Sequence, residues 1–326
     1  IETADELMWF AAHVNEGNSS AKAVLLNDID MTGKTWTPIG NTEKLLYTGT
    51  FDGQLHKIKN LVVNSENEGV GLFGYADKGA TIKNTIIGSG SSITAKKCVA
   101  GILGTAVLSG AVTIENCGNE ANISATVYLV AGIIGTCYNK SGTLTVKNCY
   151  NTGTIKAPSY AAGLCGQAGS NPKFYFTNCW NSGKYEVDEG QTSGAVFGGN
   201  ISNFNGQLVN CYTLNTTQLG SISFEETDLT SGRLTWLLNG KSAEGVWKQT
   251  LGTDAHPNFT GEPVYYFEVS HNLNLLDLIQ IGYWVQPTIP EGIEVAADGY
   301  GILVWDKASY DAETDHTVTS TTAQKI

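Results

Sequence analysis

The sequence contains few charged residues. Asp, Glu, Lys and Arg make up 15% of its 326 residues, against about 25% in a typical soluble domain. The 19 basic residues are outnumbered by 31 acidic ones, which leaves a net charge of −12. Because binding to a phosphate backbone depends on clustered Lys and Arg, this balance argues against a nucleic-acid partner.

Long apolar runs are also missing. No stretch approaches the roughly 18 residues that a membrane span needs. The first residues, "IETADELMWF", contain neither an initiator Met nor a signal-type leader, so we expect any export signal to lie outside this chain. Proline is scarce, at 7 residues, whereas glycine is abundant, at 38. This composition, rich also in Asn, Thr and Ser, is typical of short strands joined by tight turns.

Two sequence markers recur with one period. The first is a pair of apolar residues between glycines, whose last glycine falls at Gly74, Gly104, Gly135, Gly166 and, more loosely, Gly198. The second is an Asn-Cys pair, whose cysteine falls at Cys117, Cys149, Cys179 and Cys211. Both markers advance in steps of 30 to 32 residues. Two independent markers with one period indicate an internal repeat.

Each repeat reads as three short strands. In one unit these are "TLTVKNCY" (143–150), "GTIKA" (153–157) and "AAGLCG" (161–166). A unit of this size cannot bury its own apolar face, whereas stacked units can, about 4.8 Å apart. The sequence therefore predicts an all-β fold, a right-handed parallel β-helix with coils of about 31 residues. The glycine pattern would shape a coil corner. A phosphate-binding loop is the alternative, but neither a helix nor the usual Lys follows it.

The two ends of the chain differ from the repeats. Thr3 and Glu6 have the spacing of a capping box, and apolar residues follow at helical intervals. We expect a helix over about 4–15 that covers the first coil, with Leu7, Phe10, Ala11 and Val14 inward. A short helix is predicted over 229–240. The repeat character then ends, so we place a boundary near 264, between a β-helix over 1–263 and a small β domain over 264–326, sandwich-like or partial.

Several motifs resemble a known family. They are "AKAVLLNDIDMTGKTWTPIGN" (21–41), "YTGTFDGQLHKIKNLVVNS" (47–65) followed by "GLFG", and "WKQTLGTDAHPNF" (247–259). Over roughly 1–267 the chain resembles GLUG-motif β-helical proteins of bacterial surfaces, although Leu55 stands where that pattern has glycine. The resemblance implies a secreted or cell-surface, adhesin-like protein. The family also appears in the non-catalytic part of immunoglobulin A1-cleaving metallopeptidases.

The cysteine repeat has two consequences. Thiols stacked in parallel do not point at each other as a disulfide requires, so we expect free, buried cysteines. The residue after each cysteine lies on the opposite face of its strand. It is Gly118 in the first repeat and then aromatic, which makes Tyr150, Trp180 and Tyr212 candidate ligand-binding residues. They would form either an exposed strip for sugar rings or a protein surface, or an aromatic ladder that only stabilises the coils.

No set of residues predicts catalysis. The seven cysteines contain no C-x-x-C, and the five histidines contain no H-E-x-x-H, so we predict no metal and no cofactor. Acidic residues such as Glu115, Glu120 and Glu186 do not recur in register, as paired catalytic carboxylates on adjacent coils would. We therefore expect a non-enzymatic, monomeric protein that contacts a host protein or glycan. The alternatives are the non-catalytic region of an immunoglobulin A1 protease-like metallopeptidase and, third, a polysaccharide hydrolase or lyase.

Overall fold

The computed structural model describes residues 1–137, 141–167, 173–191, 193–194, 196–198, 205–214 and 220–266, with the backbone of 303–304 and 324–325. Ile1–Tyr266 forms one compact unit and Phe267–Ile326 a second. Parallel strands of the first unit stack into four sheets. Strands are numbered along the chain, and the first sheet contains β1 (Ala23–Val24), β3 (Thr50–Asp52), β8 (Ala80–Lys83), β12 (Ala111–Glu115), β16 (Thr143–Lys147), β20 (Lys173–Thr177) and β24 (Gly206–Val209).

The other three sheets follow the first around each coil. The second contains β2 (Ile29–Asp30), β4 (Lys57–Lys59), β9 (Ile86–Ile87), β13 (Gly118–Asn119), β17 (Tyr150–Asn151), β21 (Trp180–Asn181), β25 (Tyr212–Leu214) and β26 (Ile222–Phe224). The third contains β5 (Val62–Asn64), β6 (Glu68–Val70), β10 (Ser92–Ala100), β14 (Asn122–Ala131), β18 (Ile155–Lys156), β19 (Ala161–Ala162), β22 (Tyr185–Glu186) and β23 (Ser193–Gly194). The fourth contains β7 (Phe73–Ala76), β11 (Leu103–Ala106) and β15 (Ile134–Cys137).

The strand register reproduces the sequence repeat. In the first sheet Ile82 pairs with Ile114, Ile114 with Val146, and Val146 with Phe176. All four side chains are fully buried inside the coils. Each repeat is therefore one turn of a parallel β-solenoid, and the all-β fold class predicted from the period is confirmed.

The coils contribute strands to four sheets, whereas the sequence predicted three strands in each repeat. The segment 143–150, expected as one strand, divides between β16 and β17 at Asn148, whose φ of 52° lies in the left-handed region. Asparagine tolerates this conformation better than other residues with a side chain. The equivalent asparagines share it, at Asn84, Asn116, Asn178 and Asn210. Their amides form a ladder along the corner, in which Asn148 Nδ2 donates to Asn116 Oδ1 at 2.8 Å.

The glycine pattern lies at another corner. The third-sheet strand β10 ends at Ala100 and the fourth-sheet strand β11 begins at Leu103. The last glycine of the pattern lies within the fourth sheet, close to the backbone of the preceding coil. A Cβ on Gly104 would lie 2.4 Å from the carbonyl carbon of Gly69, and one on Gly135 would lie 2.5 Å from that of Cys98. Glycine is required there because the two backbones approach too closely for a side chain.

Cysteines of the Asn-Cys repeat point into the coil interior. All four are buried, free thiols. The Cys149 thiol lies 3.3 Å from the carbonyl oxygen of Lys147 in its own coil. Two other cysteines, Cys137 and Cys165, lie on the fourth-sheet side, where their sulfur atoms are 3.3 Å apart.

Helix α1 (Ala4–Asn15) covers the first coil with its predicted apolar stripe of Leu7, Phe10, Ala11 and Val14, which are all buried. The capping box is half formed. Thr3 Oγ1 accepts from the Glu6 N–H at 3.3 Å, whereas the Glu6 carboxylate accepts from the Glu2 N–H at 2.6 Å. At the helix end, Asn15 Oδ1 accepts from two backbone N–H groups, those of Gly40 and Asn41. These bonds hold the end of the helix against the loop that contains Gly40 and Asn41.

Two short helices stand where the sequence predicts one over 229–240. They are α2 (Glu226–Thr230) and α3 (Arg233–Leu238), separated at Gly232, whose φ of 83° interrupts the helical path. In the second unit the described backbone forms one antiparallel pair, β27 (Leu303–Val304) with β28 (Gln324–Lys325). The rest of the predicted β domain over 264–326 lies almost wholly outside the described residues and stays a prediction. None of the helices within the described ranges has the length and hydropathy needed to cross a membrane.

Candidate functional site

The aromatic column, defined as Tyr150, Trp180 and Tyr212, lies on the outer face of the second sheet. The three residues are direct register partners in β17, β21 and β25. The rings of Tyr150 and Trp180 stack with centroids 5.3 Å apart and planes inclined by 8°. Cys149 points into the coil, so the predicted alternation of the two columns describes the backbone correctly.

A C-terminal cover, residues 225–266, encloses this column. Tyr150, Trp180 and Tyr212 are only 1%, 0% and 4% exposed. They form a second hydrophobic core with residues of the cover, chiefly Leu234, Leu237, Leu238, Trp247 and Phe259. Of the two arrangements expected for this column, burial therefore excludes the exposed ligand-binding strip and fits the aromatic ladder. Strand alternation determines on which side of the sheet a ring lies, but not whether a later segment covers that side.

The position of the Tyr150 ring accounts for two neighbouring residues, Gly118 and Glu120. The Tyr150 ring leans over Gly118, where an added Cβ would lie 2.2 Å from it. Its hydroxyl donates to Glu120 Oε1 at 2.8 Å, and Lys57 Nζ donates to the same carboxylate at 2.8 and 3.0 Å. Burial works against ionisation of Glu120, yet the hydrogen bond and charge of Lys57 hold its pKa below the usual value. Glu120 thus anchors the buried ring.

The second core consists almost entirely of apolar and aromatic side chains. The indole N–H groups of Trp180 and Trp247 are buried without a hydrogen-bond partner among the described residues. Such groups carry a desolvation cost of about 1–3 kcal/mol each, which the surrounding ring and leucine contacts offset. At its edge, the Asn210 amide donates to the carbonyl oxygens of Leu237 and Leu238 at 3.1 Å each. The asparagine ladder therefore joins the coils to the end of α3.

A recess remains open on a different corner. We call it the corner groove; it lies between the third and fourth sheets and consists of two adjoining recesses of about 460 and about 330 Å³. The two share Glu43, Glu68 and Tyr75. Toward the first coil the groove is lined by Trp36 and Asn64, among others. Toward the later coils it is lined by Lys97, Cys98, Thr105, Leu129, Thr136 and Gln167.

The groove lining repeats from coil to coil. On the fourth-sheet side, Tyr75, Thr105 and Thr136 are register partners, and each follows the last glycine of its G-Φ-Φ-G pattern, in which Φ is apolar. Gln167 holds the same position after Gly166. On the third-sheet side the register partners are Glu68, Lys97 and Tyr128. The groove therefore runs along the stack of coils. Thr105 and Thr136, only 1% and 3% exposed, belong to its buried wall, and Tyr128 is the register partner of Lys97 beside the recess.

Left-handed turns form the recess between these columns. Cys98 and Leu129 have φ values of 56° and 62°, and Gly69 and Tyr160 turn in the same way in the flanking coils at 67° and 58°. A bulky residue such as Leu129 rarely adopts this conformation, and such strain often accompanies function. The strain coincides with a register shift between β10 and β14 after Ala95. At this turn the third-sheet strand changes direction, and the corner between the third and fourth sheets becomes concave.

The charges of the groove are paired. Lys97 Nζ lies 3.0 Å from Glu68, and this contact lowers the pKa of Glu68 and raises that of Lys97. The ammonium also lies 5.7 Å from the centroid of the Tyr128 ring, within cation–π range. Burial raises the pKa of the Cys98 thiol to about 11, so it stays protonated near neutral pH. The floor of the groove is therefore uncharged.

None of the groove residues was among the sequence candidates. Their signal is visible only in retrospect, as a polar or aromatic residue directly after the last glycine of each repeat. The chemistry of the groove is hydrogen bonding and ring packing. Across the described part of the chain, no three His, Cys, Asp or Glu side chains converge in a way that would hold a metal ion.

Comparison with known structures supports the architecture. The chain is similar to the crystal structure of "a putative immunoglobulin A1 protease from Bacteroides ovatus", with a TM-score of 0.61 and 21% sequence identity. The match covers 80% of this chain and 91% of the other. At this identity the likeness shows a shared fold. No protein-family model matches the sequence, and the search of curated proteins gives no match.

Proposed function

We propose that this chain is a non-catalytic binding module of a secreted or cell-surface bacterial protein, and that its corner groove contacts a host glycoprotein or glycan. The observation that carries the proposal is a concave corner whose two recesses extend over successive coils, with the partly exposed side chains of Tyr75, Lys97 and Gln167 in its lining. Solenoids use such extended surfaces for binding. The covered aromatic column takes no part in it.

The groove has the composition of a recognition site rather than of a reaction centre. Gln167 supplies an amide group and Tyr75 a ring with a polar end, whereas Thr105 and Thr136 are only 1% and 3% exposed. Aromatic residues with such a polar end are frequent at binding surfaces. Of the two acids in the groove lining, Glu68 lies 3.0 Å from Lys97 and is held ionised, which is unsuited to a general acid near neutral pH.

A binding screen with matched tyrosine variants tests this proposal. The whole chain is applied to a glycan array and to a panel of host glycoproteins, together with Tyr128→Ala, whose ring contacts the groove residue Lys97, and with Tyr175→Ala as control. Tyr175 is 37% exposed in the first sheet, away from the groove. We expect Tyr128→Ala to weaken binding about tenfold, as loss of a contact aromatic does, and Tyr175→Ala to leave it unchanged. Equal binding by the two variants would refute the assignment to the groove.

A second candidate follows from the structural similarity. The Bacteroides ovatus protein is described as "a putative immunoglobulin A1 protease", so this chain is a candidate for the non-catalytic region of a related metallopeptidase. Sequencing of the adjoining gene distinguishes the candidates, because a peptidase would carry an H-E-x-x-H helix in another domain. A polysaccharide hydrolase or lyase is the remaining hypothesis. It is tested by release of reducing ends or unsaturated products from pectins and host glycans.

A further inference from the structure

We infer that the larger recess of the corner groove binds an extended peptide segment, basic rather than acidic, which adds as a strand to the open edge of β5. This inference rests on the proposed binding function and specifies which part of a host glycoprotein is recognised. The contact is made with the polypeptide backbone of the partner and not with its glycans.

The first coil leaves a strand position of the third sheet vacant. Its segment 29–39 has 11 residues, whereas the register equivalent in the second coil, 58–73, has 16. Within 1–137, which the structure describes without a gap, the first coil contributes no strand to the third sheet. Strands β5 and β6 are therefore paired on one side only, with β10. The recess of about 460 Å³ lies between 35–38 of the first coil and these two strands.

The backbone of β5 turns polar groups toward this recess. On the other side, the Ser65 N–H donates to the carbonyl oxygen of Thr94 at 3.0 Å. Because backbone groups alternate between the two sides of a parallel strand, the N–H and C=O groups of Val62 and Asn64 point away from β10. Both residues line the recess, and no strand in the described part of the chain pairs with them there. An open edge of this kind is where extended peptides commonly add to a sheet.

The opposite wall of the recess is held in place. Trp36 Nε1 donates to the carbonyl oxygen of Gly71 at 3.2 Å, and Asn15 Nδ2 of helix α1 donates to that of Pro38 at 3.0 Å. These bonds fix both ends of the short segment that faces β5. A preformed recess lowers the cost of ordering the site when a ligand binds.

The charges of the groove favour a basic segment over an acidic one. The larger recess contains Glu43 and Glu68 in its lining and no Lys, Arg or His. Lys97 in the smaller recess pairs with Glu68 at 3.0 Å, so two acids and one base leave the combined lining with one excess negative charge. The net charge of −12 of the whole chain attracts a basic partner over a longer range.

Two other occupants fit the edge less well. A second copy of the chain would bring two equally acidic edges together, because Glu66 and Glu68 follow β5 directly in the sequence. Like charges on an edge strand oppose such pairing. A glycan lacks the regular alternation of N–H and C=O groups that a strand edge pairs with.

A peptide with the β10 sequence SITAKK (92–97) is the probe, because it is basic and because this strand pairs with β5 on its other side. Fluorescence anisotropy follows the labelled, C-terminally amidated peptide. Two further forms carry methyl groups on alternate backbone nitrogens, one on each side of the strand. We expect one methylated form to bind as the parent peptide does and the other to bind at least about tenfold more weakly, since only one side faces β5. Equal affinities of the two forms would overturn the inference.

A charge-reversed probe tests the preference for a basic segment. In this peptide Lys96→Glu and Lys97→Glu replace both cations. We expect its affinity to be at least about tenfold lower than that of the parent peptide, and a larger difference at low salt. An acidic peptide that binds as tightly as the basic one would overturn the preference.

Two proline substitutions on edge strands form a matched pair. Val62→Pro removes an N–H that points into the recess and places a ring in the vacant strand position, so it should lower the affinity for the peptide by about tenfold or more. Ser223→Pro is the control in β26, the terminal strand at the other end of the second sheet. The Ile222 N–H donates to Cys211 at 2.8 Å, so the Ser223 N–H points away from the sheet. Equal peptide binding by the two variants, with urea midpoints near that of the parent, would overturn the inference.

The host glycoproteins of the panel connect this test to the proposed function. We expect them to remain bound after enzymatic removal of their glycans and to be displaced by the SITAKK peptide. Binding that is lost with the glycans would overturn the inference and leave the binding function intact. A dimer of this chain that the peptide dissociates in sedimentation would assign the edge to a second copy and likewise overturn it. If neither glycans nor host glycoproteins bind, the proposed function itself fails.

Discussion

Trp180→Ala removes the centre of the second core. Trp180 is fully buried and stacks on Tyr150, and it makes edge contacts with Phe224 and Trp247 at 6.4 and 6.3 Å between ring centroids. The substitution leaves a cavity between two elements that cannot close on it. One is a strand fixed by its ladder on both sides, and the other is the C-terminal cover.

The expected loss of stability is large. Replacement of a buried Trp by Ala typically costs about 3–5 kcal/mol. Against a total stability of about 5–15 kcal/mol for a typical protein, this is a substantial fraction. The parent chain already carries the desolvation cost of the unpartnered indole N–H, and the substitution removes that cost. We therefore expect a loss of stability near the lower end of the range, about 3 kcal/mol. Tyr175→Ala, on an exposed strand face, should cost at most about 1 kcal/mol.

Urea unfolding followed by circular dichroism measures both variants against the parent chain. The same preparations are then tested for ligand binding below the unfolding transition. Our reasoning predicts that Trp180→Ala unfolds at a clearly lower urea concentration and binds as the parent does. A variant that keeps its stability but loses binding would show that the aromatic column is a ligand surface, and would refute the account of the cover.

Three further predictions concern single positions. Gly118→Ala should lower the free energy of unfolding by about 1–3 kcal/mol, since the new methyl group meets the Tyr150 ring; urea unfolding measures this, and an unchanged midpoint would contradict it. Asn148→Gly should lose only the ladder hydrogen bonds, whereas Asn148→Ala should cost about 1 kcal/mol more because of the φ of 52°; equal stability of the pair would contradict the strain. The pKa of Asp30 is lowered to about 2 by hydrogen bonds from Thr32 and Asn60. Its stabilising effect is therefore present above about pH 4 and is lost as the pH falls toward 2. The stability of Asp30→Asn should fall less steeply over that interval, and parallel pH profiles would contradict this.

The coils and the first helix were predictable because their signals are local or periodic. Helix α1 is encoded by a cap and a stripe of 3.6-residue period, and it spans Ala4–Asn15 as expected. The coils are encoded by repeated markers whose spacing equals the strand register. The corner within 143–150 was missed because the sequence there resembles one alternating strand. Only the left-handed conformation of Asn148 divides it.

The covered column and the groove were not predictable for different reasons. Burial of Trp180 depends on a segment that follows it by more than 50 residues, such as Trp236 to Phe259, and that lacks the repeat. The groove depends on left-handed turns at Cys98 and Leu129. Cysteine and leucine rarely adopt this conformation, so the sequence does not predict it there. Both features arise where nonlocal contacts override local preference.

Hydroxyl-radical footprinting of the native chain tests the central claim, that the aromatic column is core and the corner groove is the open surface. Trp9, which is 65% exposed, supplies the reference rate for an accessible ring. We predict that Trp180 and Tyr150 are modified far more slowly than Trp9, and that the half-buried Tyr75 in the groove reacts at a measurable rate. Modification of Trp180 at a rate comparable with that of Trp9 would contradict the account.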